Sequence, residues 1–448
     1  AVFPITVDPE IGTDTRYSDM GPDGSTSYQA ENAAVAYNST DNQYLVVWEG
    51  DDNTSPLVNG EFEIFGQLIN ADGTEDGTDF RISDMGPNGN TSYDASDPDV
   101  AYNSTENQYL VVWDGDDNTP PLVESEAEIF GQLINADGTE DGADFRISDM
   151  GPNGNASYHA QEPSVVYNST ENQYFVVWDS DDDSGSLVDD EYEIFGQLIN
   201  ADGTESGADT RYSDMGPDGN TSYSGNRPAV VYNPTDKQYF VVWHGDDNTA
   251  PLVDGETEIF GQLVNADGTE SGTDTRLSDM GPNGNTVFDA FESSVTYNST
   301  NNQYFAVWHG DDDSGSLING EFEIYGQRYS SGALPVELTQ FSGRAVEKGN
   351  LLFWQTATEN NNKGFEIEHS LNGLNWQFLD FEKGAGNSFE VKNYSFLHPK
   401  PSTGVNYYRL KQIDFDGQFE YSDRVTIDNE NHGIDIDFRV FPNPVSNG

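Results

Sequence analysis

The chain has 448 residues and no cysteine, and its formal charge of -62 comes from 80 Asp+Glu against 18 Lys+Arg. Absence of cysteine excludes disulfides, thiol nucleophiles and zinc-thiolate sites. So much negative charge excludes nucleic-acid phosphates and anionic membrane surfaces as partners, because both need a basic patch, and leaves cations as the natural counterpart. No apolar run approaches the ~20 residues of a membrane helix, YLVVW being typical of the longest, so membrane insertion is not expected. Ala1 does not open a basic-then-apolar leader, and the chain reads as a processed mature form.

Charge divides the chain. Residues 1–334 hold 64 Asp+Glu against 8 Lys+Arg, whereas the remainder holds 16 against 10.

In chain order, the first segment is TDTRYSDMG (13–21), and after it comes a unit that returns every 65 residues, marked by Trp48, Trp113, Trp178, Trp243 and Trp308. A fixed period of this size signals a propeller, a solenoid or an array. The second unit reads DVAYNS, QYLVVWDG, AEIFGQLINADG and DFRISD. Each piece has the length of a strand and is rich in Val, Ile, Tyr, Phe or Trp. Four strands per unit is the makeup of a propeller blade. The last unit stops after EFEIYGQRYS (321–330), which matches a third strand, while TDTRYSDMG matches a fourth. These ends predict an all-β, five-bladed β-propeller over residues 1–334, with the N-terminal strand completing the last blade. They also place the acidic loop after each Trp and the SDMGPNGNTSY connector on one face.

After the ring the period stops. Residues 335–429 show about seven short strands, as in a fibronectin- or Ig-like β-sandwich, and 430–448 read as a linker into a truncated further module.

The phrases LPVELTQF, LLFWQTATENNNKGFEIEHS, NYYRLKQIDFDGQFEYSDRV and FRVFPNPVSNG resemble the fibronectin-like module and the opening of the sorting domain of type IX secretion cargo proteins. The resemblance covers roughly 335–448 and implies secretion machinery as a partner. It implies a location at the surface of a gram-negative bacterium or in its medium. Most of the sorting domain is missing. Residues 1–334 share only a general likeness to bacterial surface repeats with a VVW and EIxGQ pattern.

The acidic loops gather 29 carboxylates, four of them at fixed register in every copy. These are Asp51, Asp52, Glu61 and Glu63; Asp116, Asp117, Glu126 and Glu128; Asp181, Asp182, Glu191 and Glu193; Asp246, Asp247, Glu256 and Glu258; and Asp311, Asp312, Glu321 and Glu323. Hard cations such as Ca2+ take six to eight oxygen ligands, so these loops are candidate calcium sites. The competing reading is solvation of an acidic protein from a salty habitat. Asp84, Asn88 and Asn90 of the connector could add ligands, though such residues also simply make turns. Arg16, Arg81, Arg146, Arg211 and Arg276 are expected to pair with carboxylates, and the five Trp to pack blades.

One repeat position breaks the symmetry: Asn32, Asp97, Glu162, Arg227 and Glu292 stand five residues before each YN pair. In a closed ring they meet at the mouth of the central channel as a candidate ligand-binding set. His244 and His309 follow Trp residues, but their counterparts are Glu49, Asp114 and Asp179, so a histidine metal site is not expected.

Three functions follow as expectations. The leading one is a secreted, non-catalytic adhesion protein that binds a surface glycan or polymer multivalently with calcium-ordered loops. Another is a structural subunit of an extracellular sheath or filament, assembled as a homo-oligomer. The third is a glycoside hydrolase using Asp97, Glu162 and Glu292.

Overall fold

The computed structural model describes residues 14–429, apart from 53, 118, 183–185, 248, 251, 313–316, 318–319, 330–337, 358, 389–390 and 415–418. The described chain is all strand and loop, and no helix in it is long and apolar enough to cross a membrane. It divides into two units, Ala1–Tyr329 and Ser330–Gly448.

In the first unit each 65-residue period folds as one antiparallel sheet. Sheet one is β1 (Ala30–Asn38), β2 (Gln43–Asp51), β3 (Phe62–Asn70) and β4 (Glu75–Arg81). Sheet two is β5 (Ala95–Asn103), β6 (Gln108–Asp116), β7 (Ala127–Asn135) and β8 (Phe145–Arg146). Sheet three is β9 (Ala160–Asn168), β10 (Gln173–Asp181), β11 (Tyr192–Asn200) and β12 (Glu205–Arg211). Sheet four is β13 (Gly225–Asn233), β14 (Gln238–Asp246), β15 (Thr257–Asn265) and β16 (Thr275–Arg276). Sheet five has three described strands, β17 (Ala290–Asn298), β18 (Gln303–Gly310) and β19 (Glu323–Tyr329).

Sheets stack face to face because their second and third strands are apolar on both sides. Leu45, Val47 and Ile64 of sheet one share a core with Tyr109, Val111 and Trp113 of sheet two. The same packing joins sheets two and three, three and four, and four and five. Each fully buried Leu, Ile, Val or Phe contributes about 1.5–3 kcal/mol. First strands of successive sheets lie side by side, which is the β-propeller arrangement of blades around a channel.

The expected closure of the ring is corrected. Residues 14–21 form no strand and do not pair with β19. Arg16 pairs with Asp19 and Asp23 beside it (3.3 and 2.6 Å), as Arg211 of β12 does with Asp214 and Asp218. The segment docks on sheet one, where Tyr17 Oη donates to Gly73 O and Asp19 N to Asp79 Oδ2, both at 3.1 Å. Residues 1–13 lie outside the described chain. Sheet five is consequently left open on one face: Phe305 and Ile324 are 43% and 75% exposed, while Phe240 and Ile259 one repeat earlier are at 0%.

The second unit contains a three-stranded sheet, β20 (Leu338–Val346), β21 (Gly349–Thr356) and β24 (Lys392–His398). The other sheet holds β22 (Glu359–Ser370), β23 (Gln377–Ser388), β25 (Val405–Asp414), β26 (Phe419–Tyr421) and β27 (Val425–Asp428). Leu352 and Trp354 from one sheet meet Phe365, Ile367, Tyr408 and Leu410 from the other in a shared core. The expected linker and truncated module, 430–448, fall outside the described residues.

Candidate functional site

Two acidic regions share one face of the propeller unit. The first is the set of loops expected to hold calcium. Their carboxylates accept backbone N–H groups from the connectors that lead from sheet to sheet. In the connector between sheets one and two, Gly89 N donates to Glu61 Oε1 (2.7 Å) and Met85 N to Glu63 (3.3 Å). From the following sheet, Asp116 accepts from Asp94 N and Asp117 from Gly86 N, both at 3.1 Å. Each inner connector is therefore held by a glutamate pair behind it and an aspartate pair ahead of it.

The same clasp recurs with Glu126, Glu128, Asp181 and Asp182 on Gly154, Met150, His159 and Gly151. It recurs with Glu191, Glu193, Asp246 and Asp247 on Gly219, Met215, Ser224 and Gly216. Glu256, Glu258, Asp311 and Asp312 hold Gly284, Met280, Asp289 and Gly281. Asp51 and Asp52 hold Gln29 and Gly21 at the chain's entry. Glu321 and Glu323 of sheet five are exposed and have no following connector. A cation at these loops competes with N–H donors already in place. Among the described residues only Asp181, Asp189 and Asp190 bring three ligand oxygens within reach of one ion.

Burial gives the second glutamate of each pair unusual chemistry. Glu63, Glu128 and Glu193 are pushed up to about 8 and Glu258 to about 7, despite a serine hydroxyl donor on each and the partial compensation of a nearby arginine. Those serines are Ser83, Ser148, Ser213 and Ser278. The recurring arginines pair close by: Arg81 reaches Asp84 (2.8 Å) and Glu63 (3.4 Å), while Asn88 accepts from the same guanidinium. Asp84 and Asn88 are thus engaged by arginine.

The second acidic region is the channel mouth. Asn32, Asp97, Glu162, Arg227 and Glu292 line one cavity of about 570 Å³. Each sits at a β-bulge near the start of its sheet's first strand. All five are left-handed, with φ of 49°, 48°, 54°, 51° and 51°. A non-glycine residue held there costs about 1–3 kcal/mol and persists only when its surroundings impose it. Bulges of this kind re-aim side chains beside active sites.

Unlike side chains now face each other. Asn32 Nδ2 donates to Asp97 Oδ1 at 2.7 Å. Arg227 spans Glu162 (3.0 Å) and Glu292 (2.7 Å), and His309 Nδ1 lies 3.7 Å from Glu292. Burial raises the Asp97 carboxyl, and the Arg227 charge only partly offsets it. Glu162 is raised by burial and by the neighbouring Asp97.

Sequence reasoning missed the tier beneath the mouth. Glu49, Asp114 and Asp179, passed over as counterparts of two histidines, are buried and accept the backbone N–H of Asp97 (2.9 Å), Glu162 (3.3 Å) and Arg227 (3.1 Å) respectively. Burial pushes Asp179 up to about 7 and Asp114 well above the carboxylate range. Burial and the Arg227 charge lower His244 to about 4. The signal was present in the sequence, since all five lie at one repeat position and differ in type.

No family model matches the chain, and no curated protein does. Solved structures similar to it include an N-acetylgalactosamine deacetylase from F. plautii in complex with blood group B trisaccharide (15% identity, TM-score 0.37, covering 67% of this chain and 89% of that one). An α-L-arabinofuranosidase from Lactobacillus brevis is similar at 12% identity and TM-score 0.36, covering 67% and 90%. The GH93 α-L-arabinofuranosidase of Fusarium graminearum with arabinobiose follows at 14% and 0.40, covering 74% and 90%. The leading expectation, a non-catalytic multivalent adhesion protein, is corrected. The proteins of similar fold are named for enzymes acting on glycans. Within this chain, the repeated loops are engaged in holding connectors, while the unlike mouth groups gather in one cavity. One cavity lined by unlike groups is not a set of five equivalent binding sites.

Proposed function

We propose that the chain is a glycoside hydrolase working at the channel mouth of a five-bladed propeller. The observation that carries this reading is the convergence of three carboxylates and one guanidinium from equivalent repeat positions in a single cavity. Hydrolysis of a glycosidic bond needs one carboxyl that donates a proton and one carboxylate that activates water or attacks. Environments that push two such groups apart assign the roles.

Asp97, raised by burial, is the proton donor to the leaving oxygen. Glu292, across the opening and bound to Arg227 at 2.7 Å, takes the proton from the attacking water. Glu162 beside Asp97 shares Arg227 and orients the sugar hydroxyls. The resemblance of residues 335–448 to exported cargo fits a polymeric substrate met outside the cell, with a fibronectin-like second unit as spacer.

Hydrolysis of a panel of aryl glycosides together with arabinan and galactan tests the reading. Wild type should cleave at least one member, and Asp97→Asn and Glu292→Gln should each lose most of that activity. Full activity in both variants overturns the proposal, and so does a wild type inactive on every member.

A further inference from the structure

Three mouth residues adopt the same strained backbone in three successive sheets, and each directs its N–H to a buried carboxylate 48 residues earlier in the chain. Glu49 comes from β2, Asp114 from β6 and Asp179 from β10, each at the position just after the sheet's tryptophan. The remaining oxygens are also engaged: Asp114 Oδ2 accepts from Ser96 Oγ (2.9 Å) and Asp179 Oδ2 from Gln161 Nε2 (3.0 Å). At the next step of the series the carboxylate is replaced by His244, whose ring packs edge-on against Phe291 (5.5 Å), the neighbour of Glu292. Three mouth residues are thus tethered to an acid below them, and the fourth stands over an imidazole.

We infer that Glu49, Asp114 and Asp179 are positioning residues, which hold Asp97, Glu162 and Arg227 in the left-handed conformation that turns their side chains into the cavity. The inference rests on the hydrolase reading for its purpose but not for its geometry. Asp179 is the most consequential of the three, because the residue it holds is the arginine that spans Glu162 and Glu292. A left-handed non-glycine residue relaxes when nothing fixes it. An N–H aimed at a buried acceptor contributes about 0.5–1.5 kcal/mol, and breaking it leaves a buried polar group unsatisfied. Asn32 and Glu292 keep the same φ, 49° and 51°, with no such acid, so the bulge sets the conformation and the acid anchors it from below while the side chain above stays available to a ligand.

Amide hydrogen exchange of the full chain, read by NMR, separates this from a general structural role. Asp179→Ala should speed exchange at Arg227 about tenfold, the loss of one buried hydrogen bond, and leave Asp97 and the clasped connectors unchanged. Asp179→Asn keeps an acceptor oxygen and should speed it only a few-fold. Turnover on whichever aryl glycoside wild type cleaves should fall in the alanine variant and be largely restored in the asparagine one. Unchanged exchange at Arg227 in Asp179→Ala overturns the inference, as does equal acceleration in both variants. Should the alanine variant not fold, unchanged exchange in Asp179→Asn overturns it. Exchange is measured without substrate, so a failed glycosidase assay with altered exchange sinks the reaction and leaves the positioning standing.

Discussion

The connector clasps and the channel mouth are both acidic and lie on the same face, yet they are built on opposite rules. In the clasps every copy carries the same residues, the carboxylates are mostly buried, and their oxygens are engaged by N–H groups of their own chain. At the mouth the copies differ, the side chains are half-buried or exposed, and they face one another across open space. Identical groups with N–H partners in their own chain hold a scaffold. Unlike groups with open valences, held by strained backbone, can do chemistry. Repetition alone therefore misleads: the most conspicuous pattern in the sequence belongs to the architecture, and the irregular position belongs to the site.

The largest expected effect is on stability with pH, and it comes from the clasps. Glu63, Glu128 and Glu193 titrate near 8 and Glu258 near 7 in the folded chain, against an ordinary value of 4.5. The folded state thus binds protons that the unfolded state has released. Stability is fully present below about 4.5, falls as the pH rises, and is lost through 8. Each group contributes a slope of up to about 1.4 kcal/mol per pH unit in that window. Chemical denaturation at pH 5.5 and 8 should show the protein several kcal/mol less stable at the higher value, on the order expected for four such groups. Calcium-filled loops would have the opposite sign, since a cation favours the ionised form. A protein that gains stability from pH 5.5 to 8 in calcium, and loses it in chelator, would move the loops into the ligand-binding class.

Next in size is deletion within one clasp. Glu128→Ala strands the Ser148 hydroxyl and Met150 N–H without their acceptor and should cost about 1–3 kcal/mol, visible as an earlier unfolding midpoint with unchanged slope. The mirror experiment belongs to the mouth. Glu292→Gln should lower hydrolysis by about 10²–10⁴-fold, the usual share of a general acid or base, and shift stability by less than about 0.5 kcal/mol because the group is exposed. Activity loss from Glu128→Ala without instability, or instability from Glu292→Gln, would blur the contrast between the two regions.

Much of this organisation was legible in the sequence. The 65-residue period marked the sheets, the alternation and apolar runs marked their strands, and the shared repeat position marked the five mouth residues before any coordinate was known. The clasps were not legible, because sequence spacing gives the carboxylates and not the N–H groups that fold opposite them. Gly89 and Glu61 are 28 residues apart, and only the path of the connector brings them together. The inner tier was misread for a different reason. Glu49, Asp114 and Asp179 entered only as the unlike counterparts of His244 and His309, which argued against a histidine metal site, and their spacing does not give the N–H groups that fold onto them. Closure failed as an expectation although the entry segment keeps the contacts of the other repeats, Arg16 pairing with Asp19 and Asp23 as Arg211 does with Asp214 and Asp218, and Asp51 and Asp52 holding Gln29 and Gly21: likeness to a fourth strand does not by itself supply the pairing with β19.

The smallest expected effect bears on that last point. Glu321 and Glu323 are the fifth glutamate pair, exposed at the edge of sheet five, while their counterparts Glu61 and Glu63 are buried on the connector that follows them. The connector that would occupy the equivalent place is 17–29, whose Met20 and Gly24 stand one repeat before Met85 and Gly89. In the structure that connector has its aspartate pair but no glutamate pair, so Glu323→Ala should change stability by less than about 0.5 kcal/mol, the ordinary range for an exposed side chain. A loss of about 2 kcal/mol, within the range expected for Glu128→Ala, would require the pair to be buried on an N–H donor in solution. The double variant Glu323→Ala with Met20→Pro, which removes that donor, would then cost no more than the sum without coupling if the two do not meet, and distinctly less than the sum if they do. Coupling would close the propeller through a fifth clasp, on the side of the cavity that Asn32 and Glu292 already share.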